Sequence, residues 1–501
     1  MAVTPLLNNT GLLGSLIQGK KDMAVLQQQL TTGRKSESYG GYESGARLTV
    51  LSLRSELATL GGYQDVIRDV NLRLDVAQQT LSRFRDIAQQ VKSGGQTNPF
   101  DPISGQQTAF QHHAALQFDE MVSLLNTDIN GRHIFSGRNM EVAPLQAVQL
   151  ILQGDGTHAG VKQVIDERRL ADLGANGLGR LAISAPAADT VRLAQEADGL
   201  PFGFTLAGAT SESAGVTITG PAGLPKQLDI AFGAQLPASG EKIRVNLNLP
   251  DGSQETLVLT ATSASPPNPG EFAIGADAAA TAANFQALLQ TETATLAATA
   301  LTAASAIKAA DEFFAGTPSS PPLRVDGPPF DTATAQVAGT AADTVIWYQG
   351  DDAASPARQS ALAKVDASLV VPYGMRADEA AMRNTLAKLG ALATLTFDEA
   401  DPNANARYQA LNQRINRALD FPAGTQSFSD MMAELATVQK TMRSVSERHT
   451  LAAGMMQGMV AERETISAEE VSVKLLSLQT RMQASLQTTA LLARLSLVNF
   501  L

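Results

Sequence analysis

The residues with the clearest potential for chemistry form a glycine and lysine run near the start of the chain. Gly14-Ser15-Leu16-Ile17-Gln18-Gly19-Lys20-Lys21 has the spacing of a phosphate-binding loop. In such loops the backbone amides and the lysine bind phosphates, and a following serine or threonine binds magnesium. Here Lys21 occupies that last position, and no strand pattern precedes the run. We therefore predict no nucleotide site.

Histidines and paired acids do not predict a metal or catalytic site either. His112 and His113 are adjacent, so on a helix they point about 100° apart, unlike the i,i+4 pairs of helical metal ligands. Asp351 and Asp352 could bind a cation weakly, but paired acids in a loop are usually solvated. The motifs of serine hydrolases, zinc proteases and dinucleotide enzymes are missing from the sequence. We predict no enzyme, no cofactor and no metal.

Composition narrows the classes of partner. The formal net charge is −11, whereas proteins that coat nucleic acid or acidic membranes recruit lysine and arginine. There is no cysteine, which excludes disulfides and thiolate chemistry. The start lacks the pattern of a cleaved secretory signal. The apolar end, Leu491 to Leu501, is about half the roughly 20 residues that cross a bilayer and contains Arg494. We predict a soluble protein with neither nucleic-acid nor membrane partners.

The elements that organise the chain are long helices in its two outer parts. Apolar residues there alternate spacings of four and three, the pattern of helices packed along a seam. The run from Tyr63 to Val91 is unbroken, and we expect Ser93-Gly94-Gly95 to end it and Gly61-Gly62 to bend it or shift its register. A second run extends from Phe428 to Val473.

Two shorter helices are predicted beside these runs, from Ser104 to Asp128 and from Asn405 to Leu419. Because every apolar stripe must be buried, we predict that residues 39–140 and 371–470 form one bundle of long helices. The predicted fold is mainly α: an elongated long-helix bundle with coiled-coil-like termini formed by both chain ends, plus an inserted β-rich or α+β domain.

The outermost segments, residues 1–38 and 471–501, carry narrower apolar stripes. Such stripes at both ends require a partner surface, so we predict that these segments form a terminal coiled-coil region that makes contacts between subunits. The predicted contact residues are Leu12, Leu16, Met23, Leu26, Leu30, Leu475, Leu478, Met482, Leu486, Leu492, Leu495 and Leu497.

The middle, residues 141–370, is poor in charge and rich in alanine, threonine, glycine and proline. Alternating segments at Gly215 to Thr219, Ile243 to Leu249 and Glu255 to Thr260 predict strands, with a turn at Pro250 to Ser253. An alanine-rich helix is predicted between Asp277 and Phe314. We expect an inserted surface domain.

Four segments of the outer parts are similar to those of a known family. They are Leu30-Thr31-Thr32-Gly33-Arg34, the carboxyl-terminal Leu495 to Leu501, the turn Asn130-Gly131-Arg132-His133-Ile134-Phe135-Ser136-Gly137, and Val371 to Glu379. Together, and in the order in which they occur along the chain, they resemble the flagellin family. Within that family, the turn and the segment Val371 to Glu379 resemble the branch that joins the flagellar hook to the filament.

The resemblance implies an extracellular protein of the bacterial flagellum, exported unfolded by the type III apparatus without a cleaved signal. It implies a ring of copies of this chain between hook-associated protein 1 below and flagellin above, and an export chaperone. Two alternatives stay open: a flagellin subunit of the filament itself and, more remotely, a secreted display or glycan-binding module in the inserted region.

Overall fold

In the computed structural model, the backbone is described for residues 6–104 and 106–498, and the side chains for residues 11, 14–103 and 106–491. The helices of this part are α1 (Leu6–Thr32), α2 (Ser44–Thr97), α3 (Ala109–Leu125), α4 (Val148–Gln153), α5 (Val161–Leu173), α6 (Ala278–Leu296), α7 (Thr302–Ala315), α8 (Ala380–Thr394), α9 (Ala404–Ala418), α10 (Phe428–Glu464) and α11 (Ala468–Val498).

The strands are short, and the longest of them, β5 to β11, lie between α5 and α6. They are β1 (Pro102–Ser104), β2 (Gln107–Thr108), β3 (Asp128–Ile129), β4 (Arg132–His133), β5 (Leu181–Ala187), β6 (Thr190–Gln195), β7 (Thr205–Ser211), β8 (Val216–Ala222), β9 (Gln227–Phe232), β10 (Lys242–Asn248), β11 (Gln254–Thr262), β12 (Glu271–Ala273), β13 (Leu323–Val325), β14 (Gln336–Ala338), β15 (Leu362–Lys364) and β16 (Val370–Pro372). The mainly α prediction with an inserted β-rich domain is confirmed.

One compact unit comprises the described parts of residues 1–70, 364–370 and 440–501. In this unit the loop that follows α1 forms hydrogen bonds with the loop between α10 and α11. The Lys35 amide donates to the Glu464 carbonyl at 2.7 Å, and the Ile466 amide donates to the Gly33 carbonyl at 3.0 Å. The Arg54 guanidinium adds three hydrogen bonds to the Glu464 carboxylate, at 3.1, 2.8 and 2.7 Å.

This connection corrects the prediction of one helix from Phe428 to Val473. The chain leaves helical geometry after Glu464 because Thr465 forms a β-bridge with Arg34. A new helix starts after Ser467, whose hydroxyl accepts from the Glu470 amide at 3.1 Å, as at a helix N-cap. Met459 and Val473, which the prediction placed on the seam, are 46% and 67% exposed.

The second compact unit comprises residues 71–363 and 371–439. In it α2 and α3 pack together, and the Arg83 guanidinium donates to the Glu120 carboxylate at 2.5 and 2.7 Å. Phe84 of α2 meets Phe428 of α10 edge to face, with ring centroids 6.0 Å apart. The predicted seam residues of α2 in this unit are buried: Leu74, Ala77, Leu81, Phe84, Ala88 and Val91. Of the seam residues that belong to the first unit, Ile67 and Val70 are buried and Tyr63 is half-buried.

The predicted helix ends in this region were partly wrong. The helix α2 does not stop at Ser93-Gly94-Gly95 but runs to Thr97. It also continues through Gly61-Gly62, where the expected bend or shift of register stays a prediction. Gly94 lies where a Cβ would overlap the Phe110 ring, so glycine permits close packing here instead of ending the helix. The helix α3 starts at Ala109, not Ser104, because Thr108 and Gln111 form a capping box.

The inserted region contains two four-stranded sheets, in the orders β5-β6-β9-β8 and β12-β11-β10-β7. All pairs are antiparallel except β11 with β12. The predicted strands correspond to β8, β10 and β11. The inner faces of both sheets share one hydrophobic core with α6, in which the Phe232, Phe272 and Phe285 rings pack edge to face. Asp277 caps α6 by accepting from the Ala280 amide at 2.8 Å.

Candidate assembly site

The predicted assembly residues lie on α1 and α11, which pack against each other within the chain. The two helices run in opposite directions, because Gly33 at the end of α1 meets Ile466 before α11, whereas Gly19 meets Met482 further along. Gly19 is buried, and a Cβ there would lie 3.3 Å from the Met482 Cγ and Sδ atoms. A glycine at this point therefore permits close approach of the helices.

The Gly14 to Lys21 run is part of the helix α1, whereas a phosphate-binding segment would be a loop.

The predicted stripes follow the face of each helix that contains this contact. Half-buried on it are Leu16, Met23, Leu26, Leu475, Leu478 and Met482. Leu30 and Leu486 are 45% and 52% exposed. Leu12, Leu492, Leu495 and Leu497 lie outside the residues whose side chains are described. The contact of these stripes with other subunits stays a prediction. Within one chain, their half-buried residues lie on the helix faces along which α1 and α11 pack.

A second set of apolar side chains on these helices is exposed, and none of them is among the predicted contact residues. Ile17 and Val25 of α1 are 52% and 50% exposed, and Val473, Leu476 and Leu491 of α11 are 67%, 62% and 58% exposed. Ile17, Val25, Leu476 and Leu491 lie outside the four-three register, whereas Val473 ends the predicted seam that begins at Phe428. Since Val473 and Leu476 are three residues apart, they share a helix face that is open to a partner.

The family-signature turn forms a tight hairpin between β3 and β4. Asn130 and Gly131 both have positive φ, at 56° and 74°, as a two-residue I′ hairpin requires. The Gly131 amide donates to the Asp128 carboxylate at 2.9 Å. The residues that follow turn inward: Ile134, Phe135 and Ser136 are buried.

The buried end of this turn meets the segment Val371 to Glu379, the other segment similar to the junction branch. The Gly137 amide donates to the Met375 carbonyl at 3.1 Å, and the Ala377 amide donates to the Phe135 carbonyl at 2.8 Å. Ser136 and Arg376 form the antiparallel bridge between these bonds. Two segments far apart in sequence are therefore one local structure.

Asp351, considered above as a weak cation ligand, belongs to this structure instead. Its amide donates to the Ser136 carbonyl at 2.9 Å, and its carboxylate accepts from the Ala353 amide at 3.1 Å and the Arg138 amide at 3.4 Å. Asp352 accepts from the Ser319 amide at 2.7 Å, and hydrogen bonds from Ser319 lower the pKa of its carboxyl. His112 and His113 lie on the exposed face of α3. Among the described residues, no group of three or more histidines and acids could hold a metal.

Residues 8–140 match the family model of the bacterial flagellin N-terminal helical region. The match supports the bacterial flagellin family. It extends from α1 through the end of the signature turn, and the family implies a structural protein that self-assembles into extracellular flagellar polymers. No curated protein matches the chain. Within the flagellin-like chain as described, none of the helices has the length and apolarity needed to span a membrane.

We expect Gly137→Ala to destabilise this flagellin-like protein much more than Gly131→Ala. Both glycines have positive φ, which costs a residue with a Cβ about 1–2 kcal/mol. At Gly137 the new Cβ would also lie 2.7 Å from the Asp351 Cβ, whereas at Gly131 no atom lies within 4 Å. Overpacking adds about 1–3 kcal/mol, so we expect a total of about 2–5 kcal/mol at Gly137. Urea unfolding followed by circular dichroism measures both, and equal losses would contradict the packing argument.

Proposed function

We propose that this protein is a structural adaptor that joins the flagellar hook to the filament, like hook-associated protein 3. The observation that carries the proposal is the bridge between the 130–137 turn and the 371–379 segment. Both segments resemble the junction branch of the flagellin family, and their contact provides a physical reason for both to occur in one chain. The bridge buries Phe135 and Ser136 completely.

Assembly in this proposal proceeds through the terminal helices. The antiparallel pair of α1 and α11 exposes Ile17, Val25, Val473, Leu476 and Leu491, and neighbouring copies bury these side chains when they associate. Burial of apolar surface contributes about 25 cal/mol per Å², so a few hundred Å² per subunit stabilises a ring. Part of this free energy is offset by the ordering of side chains at the interface.

The proposed partners follow from that position. Copies of this chain form a ring, hook-associated protein 1 lies on the hook side, and flagellin lies on the filament side. A type III export chaperone binds the chain before export, which uses no cleaved signal. The protein then functions outside the cell, in the flagellum. The proposed domain roles are assembly for residues 1–38 and 471–501, a helical bundle core for 39–140 and 371–470, and an exposed surface domain for 141–370.

A deletion strain and immunolocalisation test the proposal together. We expect the deletion strain to form hooks that do not retain stable filaments, because no subunit would connect the two polymers. On wild-type flagella, antibody against residues 141–370 should label one narrow band at the base of the filament. Label along the whole filament would instead support a filament subunit. Normal-length filaments in the deletion strain would refute the adaptor.

A further inference from the structure

A cavity of about 610 Å³ lies in the second compact unit. Its wall includes the β10–β11 turn at Asp251, α7 at Asp311, α8 at Arg383, α9 at Arg414 and the following loop at Gln426. Its volume is in the range of small-molecule sites, about 300–1,000 Å³. Nothing in the proposed flagellar role uses this cavity.

Two cations of the wall are already neutralised by carboxylates. Lys388 is 2% exposed and forms an ion pair with Asp311. Arg414 is 4% exposed and donates to the Asp251 carboxylate at 2.9 Å and to the Glu255 carboxylate at 3.0 Å. These buried pairs fix the β10–β11 turn and α7 against α8 and α9, so the wall is held in one geometry.

Two further cations of the wall lack such partners. Within the described residues, neither the Arg383 nor the Arg417 guanidinium forms a hydrogen bond or an ion pair with a carboxylate, although both line the cavity. Asp378, the acid that interacts electrostatically with Arg383, is paired with Arg376 at 3.1 Å. The amino-terminal end of α8, at Ala380, also lines the cavity and adds to the positive potential.

The wall thus presents uncompensated positive charge to a cavity in a protein whose net charge is −11. We propose that the cavity binds a small organic anion with a carboxylate or phosphate group. The planar guanidinium groups of Arg383 and Arg417 would each donate two hydrogen bonds to the oxyanion, which is the geometry that arginine favours. Ile307 and Phe421 of the same wall provide an apolar surface for the carbon part of the ligand.

Isothermal titration calorimetry on the monomeric full-length protein tests this proposal. Succinate, citrate, phosphate and sulfate are titrated separately at constant ionic strength, with chloride as the reference anion. We expect saturable binding of at least one anion. Saturation by succinate and citrate alone would identify a carboxylate ligand, and saturation by phosphate and sulfate as well would identify a site for oxyanions in general. An absence of saturable binding for all four anions would overturn the proposal.

Substitutions separate binding in the cavity from binding elsewhere. Arg383→Gln and Arg417→Gln should each weaken binding by about tenfold or more, because each removes a charge-assisted contact. Neither substitution leaves a carboxylate without its partner, and circular dichroism should confirm that both variants are folded. Arg443→Gln, at an exposed position of α10, is the matched control and should bind as wild type does. Unchanged binding in both cavity variants would also overturn the proposal.

Discussion

A Leu478→Asp variant is expected to be secreted and folded in its second compact unit but to be absent from flagella. Leu478 is half-buried and lies one helical turn before Met482, the residue that packs at Gly19. A carboxylate on this face must be desolvated wherever the stripe is buried, whether against α1 or against another subunit. The same substitution is repeated in every copy of a polymer, so its cost applies at every contact.

The size of the effect follows from the cost of burying a charge. Even a cost of about 3 kcal/mol per subunit weakens each contact by about a hundredfold, which is enough to prevent incorporation at cellular concentrations. Gln479→Asp is the matched control, because it adds the same charge at the next position, where the side chain is exposed. We expect this control to assemble nearly as wild type does.

The measurement is an immunoblot of sheared flagella and of culture supernatant from cells that express each variant. For Leu478→Asp, the protein should be in the supernatant and at least about tenfold reduced in the flagellar fraction. Its cooperative unfolding, followed by near-ultraviolet circular dichroism, should retain the transition of the second compact unit. Incorporation of Leu478→Asp at the wild-type level would show that this stripe has no role in assembly.

The parts of the fold that were predictable from sequence are those in which local periodicity decides burial. The four-three spacing of Leu74, Leu81 and Phe84 places them on one helix face, and all three are fully buried. The alternation around Ile243 and Leu247 likewise predicted β10, whose inward residues are in the sheet core. In both cases the pattern depends on near neighbours in sequence.

The parts that were not predictable depend on partners distant in sequence. The apolar pattern continues past Glu464, but hydrogen bonds with Gly33 and Lys35 hold the chain out of helical geometry there. Gly94 normally favours the end of a helix, yet contact with Phe110 requires a glycine inside one. Local propensity competes with tertiary contacts at both places, and the contacts decide the result.

The candidate sites show the same distinction. The 130–137 turn could be found from sequence because Asn130-Gly131 has its own turn chemistry. The bridge of Ser136 with Arg376 could not be found in this way, since nothing local in the sequence indicates it. Arg383 and Arg417 gave no signal, because each is an isolated arginine on a different helix and their convergence on one cavity is a property of packing.

The second large effect is expected at Arg168, where Arg168→Met should destabilise the protein by about 3–5 kcal/mol. Arg168 is 2% exposed, and its guanidinium donates to the Asp172 carboxylate at 2.9 Å, to the Glu312 carboxylate at 3.0 Å and to the Pro201 carbonyl at 2.9 Å. Asp172 is completely buried. Methionine retains much of the side-chain volume but leaves this carboxylate without its countercharge.

The adjacent residue provides the control. Arg169 forms a partly exposed pair with Asp166 at 3.7 Å, and exposed pairs contribute about 0–1 kcal/mol. Arg169→Met should therefore have little effect on the free energy of unfolding. Adding Asp172→Asn to Arg168→Met should recover part of the lost stability, because the buried group then carries no charge. Urea unfolding at neutral pH measures all three variants.

The pH dependence of the Arg168→Met variant distinguishes an unpaired charge from simple loss of packing. Burial raises the pKa of the Asp172 carboxyl, and removal of the guanidinium raises it further. A group whose pKa is higher in the folded state than in the unfolded state favours folding at low pH, and that contribution is lost as pH rises through the folded pKa. The destabilisation relative to wild type should therefore be smaller at about pH 5 than at about pH 8. A deficit that is the same at both pH values would mean that the cost arises from lost packing on Phe202 and not from the charge of Asp172. The centroid of the Phe202 ring lies 5.1 Å from the guanidinium carbon.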